Sequence, residues 1–395
     1  MSEQLAYVVI TPYSLYKSRT GGIIARLITR AGLDLVGARM FAPSPELVQQ
    51  YAEAILAPDD PTDKRVKIWL HDYVLHNFSP DPKTQLRRRI MVLLFKGEDA
   101  VDKIKEVVGT ITPTRKGGLT IRDTFGDLIL DENGEPRYFE PAVFAASNAK
   151  RAEANLKLWT RYSEKYGGLL EKTIAYPPDV TPQRTLVLIK PDNFRFPTGR
   201  PGNMIEFFSR TGLFIVGIKE HHMSVAQAQE FYAPVREVLR AALSSSAGSR
   251  AKALLEEEFE LALPGGSDKA LGDLIGPVVA ENQFQNIVRF MSGRAPKDCN
   301  AALASAPGTE KCIAVVYEGV DAVRKIRSVL GPTDPNKAPP GSIRREFGQS
   351  IMVNAAHASD SVENAKREIG IIDFQQDTFR AVVEEFYGER TRSAS

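Results

Sequence analysis

The sequence predicts an α+β protein built from two tandem copies of one strand-and-helix unit. The first observation is an internal repeat. RAGLDLVG in the first half matches RTGLFIVG in the second, so Gly32 pairs with Gly212 and Gly37 with Gly217. Further matches follow in the same order: QQYAEAI around Tyr51 with QEFYAPV around Tyr232, LLFKGEDAVDKIKEVVG with VVYEGVDAVRKIRSVLG, TIRDTFG with SIRREFG, and SNAKRAEANL with DSVENAKREI. The second observation is a change of hydrophobic period within each half, from short β-branched runs to segments apolar at helical spacing. The third is composition. The chain has 395 residues, 43% hydrophobic and 25% charged, which is ordinary for a globular protein with material for a large core.

The elements follow in order. AYVVITPYS opens the first copy as a strand, and TLVLIKPDN from Thr185 opens the second. GGIIARLITRAG and MIEFFSRTG read as helices stopped by Gly32 and Gly212. LDLVGARM and FIVGIKE are the next strands. KCIAVVYEG is a strand followed by the helix DAVRKIRSVLG, and DSVENAKREIGIIDF is a capped helix. This order is that of a ferredoxin-like βαββαβ unit. The predicted division is residues 1–164 for the first copy, 165–183 (with Pro177-Pro178) for a linker, and 184–395 for the second copy. The tail GERTRSAS is expected to be frayed. The copies differ in their insertions. An insertion at about 240–282 reads as helix, turn, helix. In the first copy DLILDENGEPRYFE reads as a hairpin, with Asn133-Gly134 as a type I′ turn.

A formal net charge of +2 offers no support for a wide basic footprint. The arginines of LRRRI (Leu86–Ile90) are then better read as a solvated strand edge than as a nucleic-acid contact. Two cysteines, Cys299 and Cys312, make no disulfide framework and fit a reducing compartment. The N-terminus lacks a signal-peptide pattern, and no apolar run is long enough to span a membrane, so a cytoplasmic protein is expected.

The candidate chemistry lies in NAAHASDS (Asn354–Ser361), which holds His357 among small and hydroxyl residues. Alone, His357 could be nucleophile, base, ligand or a structural histidine near a helix cap, and the last is the commonest fate of such a residue. Zinc is disfavoured because no second His or Cys stands at ligand spacing. No G-x-S-x-G elbow supports a serine hydrolase. The cations Lys190, Arg327 and Arg344, each of a type usually solvated, gain meaning together. With His357 they supply a nucleophile and positive charge for phosphoryl transfer.

KPD at Lys190, Tyr232, R-x-x-L-G-x-T from Arg327, P-G-S-I-R-x-x-F around Arg344 and N-x-x-H-x-S-D-S from Asn354 occur in this order. Together they resemble the nucleoside diphosphate kinase family from about Thr185 to Phe374, interrupted by the insertion. The resemblance implies a tandem of such domains and transfer of the γ-phosphate of a nucleoside triphosphate, usually ATP, to a nucleoside diphosphate. The route implied is ping-pong, through phosphohistidine at His357. It further implies Lys190, Tyr232, Arg327, Thr333 and Arg344 around the phosphates, and Asn354 on the sugar hydroxyl. Glu368 would orient the imidazole, with Ser359 beside it. Ile351 would lie against the base, with Phe284 the candidate for its other face. Mg²⁺ would be held mainly by the nucleotide phosphates, with Asp360 reaching it through water.

Two departures stand out. Ala358 follows the histidine where the family usually has glycine, and NFRFPTGRPG replaces the usual loop after KPD. They leave an alternative of another class, a nucleotide-binding regulatory or scaffold protein with little turnover.

In the first copy Thr11 stands at the place of Lys190, Phe144 at His357, Pro141 at Asn354, Lys105 at Arg327 and Ile111 at Thr333. Arg122 and Tyr51 remain. Phenylalanine cannot accept a phosphoryl group, so this copy is read as degenerate. Members of the family assemble from single domains. The resemblance therefore implies that the two copies pair within the chain, and a homo-oligomer of such pairs is compatible with this.

Overall fold

The computed structural model describes residues 2–112 and 118–388. Beyond Gly388, the tail expected to be frayed lies outside the described residues.

The first copy runs β1 (Glu3–Ile10), α1 (Pro12–Tyr16), α2 (Thr20–Ala31), β2 (Asp34–Phe41), α3 (Pro45–Ile55), α4 (Lys64–Asn77), β3 (Ile90–Glu98), α5 (Ala100–Val108), α6 (Ile121–Phe125), β4 (Asp127–Leu130), β5 (Pro136–Glu140), β6 (Val143–Ala145) and α7 (Ala149–Tyr166). The second copy opens with β7 (Gln183–Ile189), α8 (Arg200–Ser209) and β8 (Phe214–His221). It continues with α9 (Val225–Phe231), α10 (Ala233–Glu258), α11 (Ser267–Ser292), α12 (Ala301–Ser305), β9 (Cys312–Gly319), α13 (Ala322–Leu330), α14 (Ile343–Phe347), β10 (Ala356–Ala358), α15 (Val362–Ile372) and α16 (Thr378–Tyr387).

The sheets are ordered β2-β3-β1-β6 and β10-β7-β9-β8. Counted within each copy these are one topology, the antiparallel ferredoxin-like sheet with the first strand beside the last. The central strands are the apolar runs of the sequence. Val8, Val9, Ile10, Leu186, Val187 and Leu188 are all fully buried, as strands covered on both faces must be.

The described chain forms two compact units, residues 1–220 with 313–395, and residues 221–312. Both repeated halves thus lie mainly in the first unit, and the chain divides around the insertion rather than at the linker. Within that unit α2 packs on α8. Gly21 and Gly202 sit where these helices cross. A Cβ added at Gly202 would lie 2.7 Å from Ala25 Cα, and one at Gly21 would lie 2.7 Å from Glu206 Cβ. The helix α16 packs on α7 and β2. There the buried Arg39 pairs with Asp377 (3.5 Å), and Ser163 Oγ donates to the same carboxylate.

The second unit is a helical body. The antiparallel α10 and α11 approach closely because Gly248, Gly272 and Gly276 put backbone against backbone. The Arg236 guanidinium pairs with Glu281 at 2.5 Å and lies 5.0 Å from the Phe284 ring centroid. The predicted helix–turn–helix is present, but its helices overrun the predicted limits because α10 begins directly after Tyr232.

The first-copy hairpin β4–β5 is also present, with a different turn. A type I′ turn needs positive φ at both central residues. Only Gly134 has it (φ 74°), and Asp131 exchanges backbone bonds with Gly134 and Glu135. The connection is therefore a three-residue turn. The Asp131 carboxylate favours it by accepting from the backbone N–H groups of Asn133 and Glu135.

Candidate active site

β10 is three residues long and lies at the sheet edge, with His357 opposite Leu188 of β7. The strand is entered through Ala355, whose backbone is left-handed (φ 71°). The next helix, α15, is capped by Ser361, which accepts from Asn364 N. This cap starts α15 so that Glu368 reaches back to the strand. His357 Nε2 is 2.9 Å from Glu368 Oε2, and Ser359 Oγ donates to the same oxygen at 2.6 Å. Glu368 and Ser359 are buried, whereas the His357 side chain is 22% exposed. A carboxylate only accepts, so Nε2 carries the ring proton and Nδ1 carries the lone pair.

Lys190 ends β7 and is buried. Its Nζ donates to Asn354 Oδ1 (2.6 Å) and to Met352 O (3.3 Å). Burial lowers its pKa from the usual lysine value to about 8; nearby Arg344 adds to the shift, and Asp192 opposes it. Asn354 is committed on both sides, because its Nδ2 donates to the carbonyls of Thr333 and Ile351. It therefore positions Lys190 and joins the Thr333 loop to β10. Arg344 donates to Gly331 O (3.0 Å) and Ala356 O (3.1 Å). Arg327 on α13 and Thr333 after it are exposed. Arg327 lines one shallow depression with Asp360, and Asp360 Oδ1 accepts from Asn364 Nδ2. Ile351 is 64% exposed, an apolar side chain presented to solvent on the loop that delivers Asn354.

Lys190 with Asn354, and His357 with Ser359 and Glu368, thus form two bonded groups at β10 and its approach, and Arg344 braces the strand. Tyr232 and Phe284 belong to the second unit. Tyr232 packs on Phe231 with centroids 5.0 Å apart, and Phe284 is buried in α11.

Sequence reasoning missed Asn193. It is buried, and its Nδ2 donates to Lys190 O (3.0 Å) and Ala355 O (2.8 Å). Arg200 Nε donates in turn to Asn193 Oδ1. The unusual loop after KPD therefore ties both strand ends of the site together. Its signal was an amide side chain one residue past a strand-end KPD. Ala358 proves harmless to the backbone. It sits in β10 opposite Val187, and the left-handed residue is Ala355.

The first copy keeps the frame and loses the reactive groups. Arg122 donates to Gly109 O and Val143 O, matching Arg344 bond for bond. Ala142 is left-handed as Ala355 is. Phe144, however, is packed among Tyr51, Tyr73 and Phe78, with centroids 5.5–6.1 Å away. Thr11 donates to Glu140, and Asn155 lies on α7 where Glu368 lies on α15.

A histidine held by a buried carboxylate at the edge of an antiparallel sheet, with a buried lysine at the neighbouring strand end, defines a group-transfer site for anionic substrates. Comparison with known proteins identifies the family. Residues 183–240 and 282–379 match the family model for nucleoside diphosphate kinase. The nucleoside diphosphate kinase of Helicobacter pylori strain Shi470 is 32% identical over 187 residues, covering 47% of this chain and 92% of that protein. That of Staphylothermus marinus is 31% identical over 190 residues, covering 48% and 92%. The crystal structure of the Aquifex aeolicus enzyme matches 49% of this chain and 95% of its own at 28% identity, with a TM-score of 0.31. The chain belongs to the nucleoside diphosphate kinase family, whose chemistry is nucleotide phosphotransfer. Among the described residues, no helix is long and apolar enough to cross a membrane.

Proposed function

We propose that the second copy, residues 184–395, is a nucleoside diphosphate kinase acting through phospho-His357, and that the first copy, residues 1–164, does not catalyse. The observation that carries this reading is the 2.9 Å contact of His357 Nε2 with Glu368 Oε2, which in the neutral ring leaves Nδ1 to bear the lone pair. Nδ1 attacks the γ-phosphorus of ATP, a P–N bond forms, and the bond to the β–γ bridging oxygen breaks, releasing ADP. A β-phosphate oxygen of the acceptor diphosphate then attacks phosphorus, the P–N bond breaks and the imidazole is restored. The Nε2 proton stays against Glu368 throughout. Lys190, Arg327 and Arg344 supply charge toward the phosphates, and Thr333 supplies a hydroxyl. Ile351 keeps the nucleotide-binding role that the family resemblance implies for it, and Asn354 serves the site by holding Lys190.

Magnesium enters as part of the nucleotide substrate. Among the described residues, no group of three or more His, Cys, Asp or Glu is placed to hold a metal. One exposed carboxylate, Asp360, together with substrate phosphates is a donor set that suits Mg²⁺. The ion would neutralise phosphate charge. A cytoplasmic setting belongs to the same reading, and no disulfide joins Cys299 and Cys312.

The test is incubation with γ-labelled ATP. The expected result is acid-labile, base-stable label on the protein that leaves when a nucleoside diphosphate is added. A protein that binds nucleotide yet takes no label is a binder, and the proposal is then wrong. A second expectation concerns pH. Lys190 must be charged to bind phosphate, and its pKa is lowered to about 8. In the free enzyme kcat/KM should therefore fall as pH rises through about 8. Lys190→Arg should move that limb upward, since arginine stays charged. An unchanged alkaline limb would remove Lys190 from phosphate binding.

A further inference from the structure

The first copy contains a cavity of about 650 Å³ at the place that corresponds to the reacting centre of the second. That lies within the roughly 300–1,000 Å³ of small-molecule sites. Its lining includes the Phe144 ring, Ala146, and the α4 side chains Val66 and Leu70.

Asn155 also lines the cavity and is 6% exposed. Its Nδ2 donates to Tyr7 Oη (2.8 Å), while its Oδ1 has no hydrogen-bond partner. A buried amide oxygen without a donor is destabilising. It is the kind of group that a ligand N–H or O–H relieves.

The charges argue against phosphate. Among the described residues each cation of the lining is already engaged: Lys67 on the carbonyls of Ala57 and Asp60, Lys105 on Asp102, and Arg122 on Gly109 and Val143. Against them stand the carboxylates of Asp60, Asp63, Glu106 and Asp123. Among the described lining residues a polyphosphate would meet more negative than positive charge. A planar ring suits Phe144, and donors suit Asn155. Thr62, Thr110, Thr112 and Ser147 add hydroxyls to the lining that match those of a sugar.

We propose that this cavity is a binding site for an unphosphorylated nucleoside, separate from the catalytic site of the second copy. The inference does not depend on turnover at His357.

The test is calorimetric titration of adenosine, guanosine and cytidine into the full chain, with ADP and Mg²⁺ present in excess. At least one nucleoside should saturate. Its affinity should fall tenfold or more in Asn155→Leu, which removes the acceptor, and in Thr112→Trp, which fills the cavity from an exposed position. The Thr112 variant keeps the test valid if Asn155→Leu fails to fold. Binding should persist in Arg327→Ala and in the presence of pyrophosphate. No saturation by any of the three nucleosides overturns the proposal. So does loss of binding in Arg327→Ala, or displacement by pyrophosphate, since either places the ligand among the phosphate contacts of the second copy.

Discussion

His357→Ala should abolish phosphate exchange between ATP and a second nucleoside diphosphate, with kcat reduced by at least ~10⁴-fold, the scale on which removal of a covalent nucleophile acts. The fold should survive, because the His357 side chain is partly exposed and the buried oxygen it leaves still receives the Ser359 hydroxyl at 2.6 Å. Nucleotide binding should survive as well, since Lys190 is held by Asn354 and Met352 rather than by the histidine. Glu368→Ala should be milder, with a kcat loss of roughly 10²-fold, because it frees the ring to take the other tautomer without removing the attacking atom. The measurement is coupled turnover of the three proteins beside their nucleotide-dependent melting. Residual exchange in His357→Ala at the wild-type rate would mean that another group carries the phosphoryl, and the first copy offers only Phe144 at that position.

Gly202→Ala should destabilise the protein by about 2–3 kcal/mol in denaturant unfolding. An interior helical glycine replaced by alanine ordinarily gains roughly 0.5–1 kcal/mol, because alanine restricts the unfolded chain. Here the sign should reverse. The new methyl would fall 2.7 Å from Ala25 Cα, with the Gly21 backbone beside it. Neither can turn aside as a side chain would, so α2 and α8 must separate. Gly370→Ala is the matched control. Gly370 lies in α15, is exposed, and a Cβ there meets nothing within 4 Å, so that variant should gain the ordinary increment. If both variants gain stability, the close crossing of α2 and α8 does not hold the two copies together.

The duplication was legible because matching segments keep their order and the glycine punctuation survives in both halves. The strand assignments followed from β-branched runs, whereas His357, Ser359 and Glu368 were grouped by the family resemblance, and the helix capped at Ser361 is what brings Glu368 back to the strand. Other features were out of reach. The hairpin turn depended on which residue adopts positive φ, and the Asp131 carboxylate decided that rather than the Asn-Gly pair. Asn193 went unassigned because its value lies in two carbonyls, Lys190 O and Ala355 O, that are distant in sequence. Asn354 was read only as a ligand contact, although its amide is spent holding Lys190 and the Thr333 loop. Arg122 teaches the opposite lesson. It persists in a copy with Phe144 in place of the histidine because it clips two backbone carbonyls, so an arginine retained from a motif is no evidence of a working site.

The contact of α2 with α8 joins two parts of one polypeptide, with a consequence for behaviour at low concentration. Separate domains meeting through such a face would part on dilution. Tethered ones face each other at an effective concentration on the order of millimolar. Dilution to nanomolar protein should therefore leave this pairing intact. Translation also delivers the half bearing His357 and the half lacking its counterpart in strict one-to-one ratio, a mixed pair that independently made chains would reach only by chance.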